Sequence, residues 1–295
     1  MIATMNSSGL IVNNLIFDAQ LHRVPTIAKP NQKDGWYVAF PNGKSVLYGD
    51  WRTGAAKTYS GQAKPFSRDD ALALKKARDA YKKAKLVKQQ ASANECQAQW
   101  KNACNVITHP YLTNKRIKPY GIRVDKHKNL LVPIFDYCGE LINLQYIDVN
   151  GSKRFKKGAR VTGGYLQIGP QIEQGTLLIC EGYATGCSLH EATGFTVLVA
   201  FNAGNLESVC VGVKKEKPSL KVVICADNDH QTEIKTGHNV GLEKAHSIAE
   251  KNNVKVLWPK FDSDNSGSDF NDIHCQFSLS ILRTMLLPRL KGDSL

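Results

Sequence analysis

Between residues 171 and 291 the apolar positions come in short unbroken runs, separated by stretches with helical spacing. Leu177-Leu178-Ile179-Cys180, residues 196–201 and Val222-Val223-Ile224-Cys225-Ala226 are continuous rather than alternating, as in strands buried on both faces. Helices are predicted near 184–193, 205–213 and 238–252, a further strand at 254–258 and a final amphipathic helix near 278–290. Strands alternating with helices at this spacing predict a parallel, doubly wound α/β sheet.

Upstream the pattern changes twice. Residues 14–61 read as short strands and turns, with Asn42-Gly43 between two apolar runs as a hairpin signal. Trp36, Tyr37, Tyr48 and Trp51, beside Lys44 and Arg52, suit either the core of this β-rich module or stacking on bases. Residues 69–99 lack Gly and Pro and predict a long helix, with Ser67 and Asp70 as its capping pair. One face is basic, through Lys75, Lys76, Lys82, Lys83, Lys85 and Lys88. From 109 to 169 the reading is mostly β. The expected organisation is a small β-rich N-terminal module over 1–65 and a basic helical connector over 66–105. A basic α+β lobe follows over 106–170, then the α/β domain over 171–275 and a C-terminal helix over 276–295.

Charge sharpens this division. Residues 1–170 hold 27 Lys and Arg against 11 Asp and Glu, whereas residues 171–295 hold 12 against 15. A basic first part before a mildly acidic second part suggests a polyanion-binding platform beside a metal site. The start of the chain lacks the pattern of a signal peptide and no apolar run has membrane length, so a cytoplasmic protein with no membrane partner is expected. The eight cysteines form no Cys-x-x-Cys pair, which argues against a zinc ribbon, and no zinc is expected.

The candidate chemistry stands where the apolar runs stop. One run ends at Glu181-Gly182 and another at Asp227-Asn228-Asp229. If strand geometry persists past the end of the second run, Asp227 and Asp229 share a side and can face one cation. Mg²⁺ takes oxygen ligands, usually one or two carboxylates completed by water and phosphate. Glu181 is suited either to a second ion or to moving a proton. Asp262, Asp264, Asp269 and Asp272 form a further acidic cluster, with Asp269 the best placed extra ligand. The segment from Asp262 is not an EF-hand, since its twelfth position is Ile273, and the chain has no P-loop motif. Lys153, Arg154, Lys156, Lys157 and Arg160 fall within a short run that can hold a phosphate backbone.

Together, Cys180-Glu181-Gly182-Tyr183-Ala184-Thr185, Ala200-Phe201-Asn202-Ala203-Gly204-Asn205-Leu206, Asp227-x-Asp229 and Ser268-Asp269-Phe270-Asn271-Asp272 resemble the Toprim domain of plasmid- and phage-type primases. The resemblance covers residues 109–275, including a primase-type basic lobe before the acids. It implies Glu181 as the acidic catalytic residue and Asp227, Asp229 and Asp269 as Mg²⁺ or Mn²⁺ ligands. Lys153, Arg154, Lys156, Lys157 and Arg160 would bind template or nucleoside triphosphate. The implied activity is synthesis of RNA primers on single-stranded DNA, with a replicative helicase either supplied in trans or not needed. A Toprim nuclease and a non-catalytic, helicase-loading DNA-binding module are the alternatives.

Overall fold

The computed structural model describes residues 1–41, 43–51, 56–61 and 68–291. Asn42, Arg52 and Ser67 therefore lie outside the described residues. Two compact units, Met1–Val87 and Lys88–Leu295, divide the chain.

In the first unit, α1 (Ile2–Ser7) precedes an antiparallel sheet of β1 (Leu21–Val24), β2 (Gly35–Ala39), β3 (Ser45–Asp50) and β4 (Ala56–Ser60), in that spatial order. Alternation along β2 and β3 sends Tyr37 and Tyr48, direct cross-strand partners, into a core with Met5, Leu10 and Val12. These two tyrosines are therefore core, and of the four aromatics Trp51 alone is exposed, lying against Trp36. The long helix α2 (Arg68–Asn102) begins in this unit and ends in the second.

The second unit opens with β5 (Cys104–Asn105), α3 (Pro110–Asn114), β6 (Arg123–Val124), β7 (Leu130–Phe135), β8 (Leu141–Ile147) and β9 (Lys153–Phe155). The five strands form an antiparallel sheet in sequence order. Every residue of β8 is buried, because apolar groups cover both faces. Leu141, Leu144 and Tyr146 pack with Cys96 of α2, whereas Ile142 and Ile147 join the main core.

The unbroken apolar runs form the second sheet of this unit. β10 (Leu166–Ile168), β11 (Gly175–Cys180), β12 (Thr196–Val199), β13 (Leu220–Cys225) and β14 (Lys255–Leu257) lie in the order β10-β12-β11-β13-β14. All neighbours are parallel except β10, which runs antiparallel to β12 at the edge. Residues 166–168, assigned from sequence to the preceding lobe, thus complete the α/β sheet. Odd and even positions separate cleanly. Leu178, Cys180, Val197, Val199, Val223 and Cys225 face one core, and Leu177, Ile179, Leu198, Val222 and Ile224 face the other.

Helices cover both faces. α4 (Tyr183–Thr193) contributes to the first core and α5 (Ala203–Glu216) to the second. The helix expected over 238–252 is α7 (Val240–Asn252), and a further short helix, α6 (His230–Thr236), precedes it and ends at Gly237 in the left-handed region. α8 (Phe270–Gln276) and α9 (Leu279–Lys291) return to the first core and contact α4. Leu282 and Leu286 of α9 are fully buried there. Among the described residues, no helix is long and apolar enough to cross a membrane.

Candidate active site

Chain order reverses around β11: β12 lies on one side of it, and β13 and β14 on the other. The helix after β11 covers one face and α7, which follows β13, covers the opposite face. Diverging connections open a crevice outside the carboxyl ends of β11 and β13, where open α/β sheets bind ligands. Cys180 pairs in register with Cys225, so Glu181 and Asp227 leave the sheet at nearly the same level.

The Asp-x-Asp segment is held by its middle residue. Asn228 is buried; its side-chain amide donates to the Pro259 carbonyl at 2.8 Å, and its Oδ1 accepts from Asn239 Nδ2 at 2.8 Å. Its backbone N–H donates to the Ser268 carbonyl at 2.7 Å. Asp229 has φ −76° and ψ 53° and starts α6. The two carboxylates therefore share a site because Asn228 anchors a turn, which corrects the expectation that strand geometry persists. Asp227 is half-buried and Asp229 exposed.

Asp269 reaches the crevice from the start of α8. A reciprocal capping box fixes it: its side chain accepts from Asp272 N at 2.9 Å. Asp272 in turn accepts from Ser268 N at 2.8 Å and Asp269 N at 3.3 Å. Asp272 is thus structural, and Asp262 and Asp264 remain exposed on the loop before it.

The acids make one another harder to ionise. Burial, and then the charge of Asp229, raise the Glu181 pKa to about 7; Ala203 N–H and Lys244 act against them. Asp227 is raised well above the ordinary carboxylate range by burial and by Glu181, Asp269 and Asp229. Burial and Asp272 raise Asp269. Among the described residues, Glu181 Oε1 and Asp227 Oδ1 are buried without a hydrogen-bond partner. Among the described residues, no three His, Cys, Asp or Glu side chains converge closely enough to hold an ion alone. Orphaned oxygens on mutually repelling acids nonetheless fit a divalent cation that takes one or two carboxylates and completes its shell with water and phosphate.

The basic run does not act as a block. Lys153 and Phe155 of β9 face the crevice side: Phe155 meets Phe201 edge-on, and the acids Asp269 and Asp227 attract the Lys153 ammonium. Loss of surrounding water and repulsion by Lys115 lower the Lys153 pKa. Much of its surface is still exposed, so water blunts these couplings. Arg154 lies instead over the Tyr146 ring, 4.5 Å from its centroid, and Lys156 pairs with Glu95 of α2. Arg160 binds Asp136 at 3.1 Å. Lys157 is exposed. Of the five cations, Lys153 is the one coupled to the acids.

The Toprim domain family matches residues 176–278. This chain carries a Toprim domain. It is 32% identical over 275 residues to a DNA primase TraC of Escherichia coli, and 30% identical over 279 residues to a second protein of that name. Each alignment takes in 87% of this chain, but the chain spans only 26% and 19% of those relatives. The resemblance to plasmid-type Toprim primases therefore extends over most of the chain. The zinc-binding and RNA polymerase domains of the Aquifex aeolicus primase superpose with a TM-score of 0.44 at 13% identity, over 97% of this chain and 82% of that one.

The sequence assigned no role to three residues here: Asn228, Lys244 and Asn205. Asn205 ties the loop after β9 to the end of β12, donating to the carbonyls of Gly164 at 2.8 Å and Ala200 at 2.9 Å and accepting from Gly163 N at 2.7 Å. Its neighbour Phe201 adopts φ 72°, an uncommon conformation for an aromatic residue. The position of Asn228 between two acids was visible in the sequence, but its inward direction was not.

Proposed function

We propose that this chain is a DNA primase making short RNA primers on single-stranded DNA by metal-dependent nucleotidyl transfer. The observation that carries the reading is Lys153 at the rim of the acid crevice, attracted by Asp269 and Asp227. A cation opposite clustered carboxylates suits a substrate with phosphates between them. The curated relatives, named DNA primases, support the same reading.

Asp227, Asp229 and Asp269 would hold Mg²⁺ or Mn²⁺, which when bound would neutralise charge on the transferring phosphate. Glu181, titrating near neutrality, is the candidate base for the attacking 3′ hydroxyl. Lys153 orients the triphosphate against that hydroxyl. Residues 106–165 would form the basic lobe, and the α/β sheet that begins with β10 would form the catalytic domain. The implied ligands are single-stranded DNA and nucleoside triphosphates, with a replicative helicase acting in trans.

Incubation with single-stranded DNA, labelled ribonucleotides and Mg²⁺ or Mn²⁺ tests this. Short RNA that disappears in both Glu181→Ala and Asp227→Ala is the expected result. DNA shortened without synthesis would instead mean a Toprim nuclease, and binding with neither product a non-catalytic module.

A further inference from the structure

The hairpin between β7 and β8 leans across to α5 and helps to enclose a cavity of about 550 Å³, separate from the acid crevice. That volume lies within the range of about 300–1,000 Å³ that ligand pockets occupy. Leu177, Leu198 and Leu220 form its floor, on the sheet face that α5 covers, and Tyr137 and Tyr165 stand in one wall. Glu216, exposed at the end of α5, belongs to its rim. None of the crevice acids lines it, and the proposed reaction makes no use of it.

Its walls are anchored. The Tyr137 hydroxyl donates to the Val209 carbonyl at 2.8 Å, and its ring lies so close to Gly212 that a Cβ there would clash. Tyr165 packs against that ring, with 5.1 Å between centroids. Asp136 fixes the turn, accepting from Cys138 N at 3.0 Å and Glu140 N at 3.1 Å while it pairs with Arg160. A preformed cavity spares a ligand the cost of ordering it. The cation of the lining is already engaged: Lys217 binds Glu173 at 2.8 Å and the Ile172 carbonyl at 3.0 Å. Gln167 donates to the Gly169 carbonyl at 3.2 Å, which leaves its Oε1 as an acceptor. Glu216 makes no ion pair or hydrogen bond among the described residues. It lies near Tyr137, whose pKa is raised by burial first and also by Tyr165, Cys210 and Glu216. What is left is an apolar cavity with an aromatic wall and one uncompensated negative charge at its rim.

We infer that this cavity binds a small amphiphilic amine, its apolar body over the leucines and its ammonium between Glu216 and the tyrosine rings. Burial of the body supplies the non-directional part of the affinity. The carboxylate and the ring faces both favour a cation. An anion would be repelled by Glu216, and a neutral isostere would leave that carboxylate uncompensated. The inference goes beyond primer synthesis and does not rest on it.

Two exposed cysteines make the test internal, since Cys138 lines the cavity and Cys104 does not. The full chain, without DNA, nucleotide or metal, is alkylated with iodoacetamide, and both cysteines are followed by mass spectrometry. Phenethylamine is the probe, with phenethyl alcohol and phenylacetate as its neutral and anionic counterparts. Each is titrated to about 10 mM, since ligands of this size bind weakly. The amine should slow alkylation of Cys138 but not of Cys104, and the alcohol and the carboxylate should protect less. Glu216→Gln, at an exposed position, should weaken protection by the amine up to about fivefold, the scale of one exposed ion pair. Protection by the alcohol should not change in that variant. Melting curves in the same titrations report binding wherever it occurs. Unprotected Cys138 would overturn the inference, whether or not the melting temperature rises, because a rise alone means binding elsewhere. Equal protection by amine and alcohol, or an amine affinity untouched by Glu216→Gln, would overturn it too. Such failure leaves the proposed function intact, and absence of primer synthesis in the unaltered protein leaves the cavity standing.

Discussion

The acids and the cations of this chain are organised by opposite rules. Glu181, Asp227 and Asp269 lie far apart in sequence yet share one crevice. Lys153, Arg154, Lys156 and Arg160 lie within eight residues and yet disperse. Parallel strands deliver all their carboxyl ends to one edge, so distant residues converge there. A single strand throws successive side chains to opposite faces, so neighbours separate. Proximity along the chain is therefore a poor guide to a shared site, whereas position at a strand end is a good one.

The largest expected effect falls on the converged acids. Asp227→Ala should lower metal-dependent synthesis at least about a hundredfold, the scale of losing one preorganised group that stabilises transition-state charge. Synthesis within a few fold of the unaltered protein would break the assignment. Next comes the anchor: Asn228→Ala removes a buried side chain that makes two hydrogen bonds. It should cost about 1–3 kcal/mol of stability in urea titrations. It should also weaken metal affinity by about 10–100-fold, as loss of a supporting residue does. Stability unchanged, with metal affinity intact, would mean that the turn stands without it.

The comparison between cations gives a smaller effect. Lys153→Ala should reduce the apparent affinity for nucleoside triphosphate more than Lys157→Ala does, because Lys153, of the five cations in the basic run, is the one the crevice acids attract. Equal losses would restore the view of the basic run as one platform.

The smallest effect is on the pH dependence of metal-free stability. Glu181 in the folded protein titrates near 7, above its ordinary 4.5. Between those values the unfolded chain ionises first, so folding stability should fall as pH rises from about 4.5 to about 7. Asp227, also raised by burial and by the neighbouring acids, acts in the same direction. Glu181→Gln should flatten part of this decline, and saturating Mg²⁺ should offset it. Equal metal-free stability at pH 5 and pH 8 would contradict the raised value.

Much of the Toprim core was legible because a strand covered on both faces needs an unbroken apolar run, and β11 and β13 have one. The acids were legible because they end those runs. The short helix α6 was less so: it buries no residue and ends at a left-handed Gly237, in a polar stretch without apolar spacing to mark it. The first-unit aromatics were ambiguous for a different reason. An aromatic residue in a short strand suits a core or a base equally, and only the pairing of Tyr37 with Tyr48 over Met5 decided it.

By itself the sequence determined the α/β class, the strand ends and the acids standing on them, since hydrophobic periodicity and strand burial are local consequences of residue order. Tertiary structure alone decided the inward turn of Asn228, the capping role of Asp272 and the facing of each β9 cation. Those depend on which atoms the packed sheets bring within hydrogen-bonding or Coulombic reach, a property of no single segment.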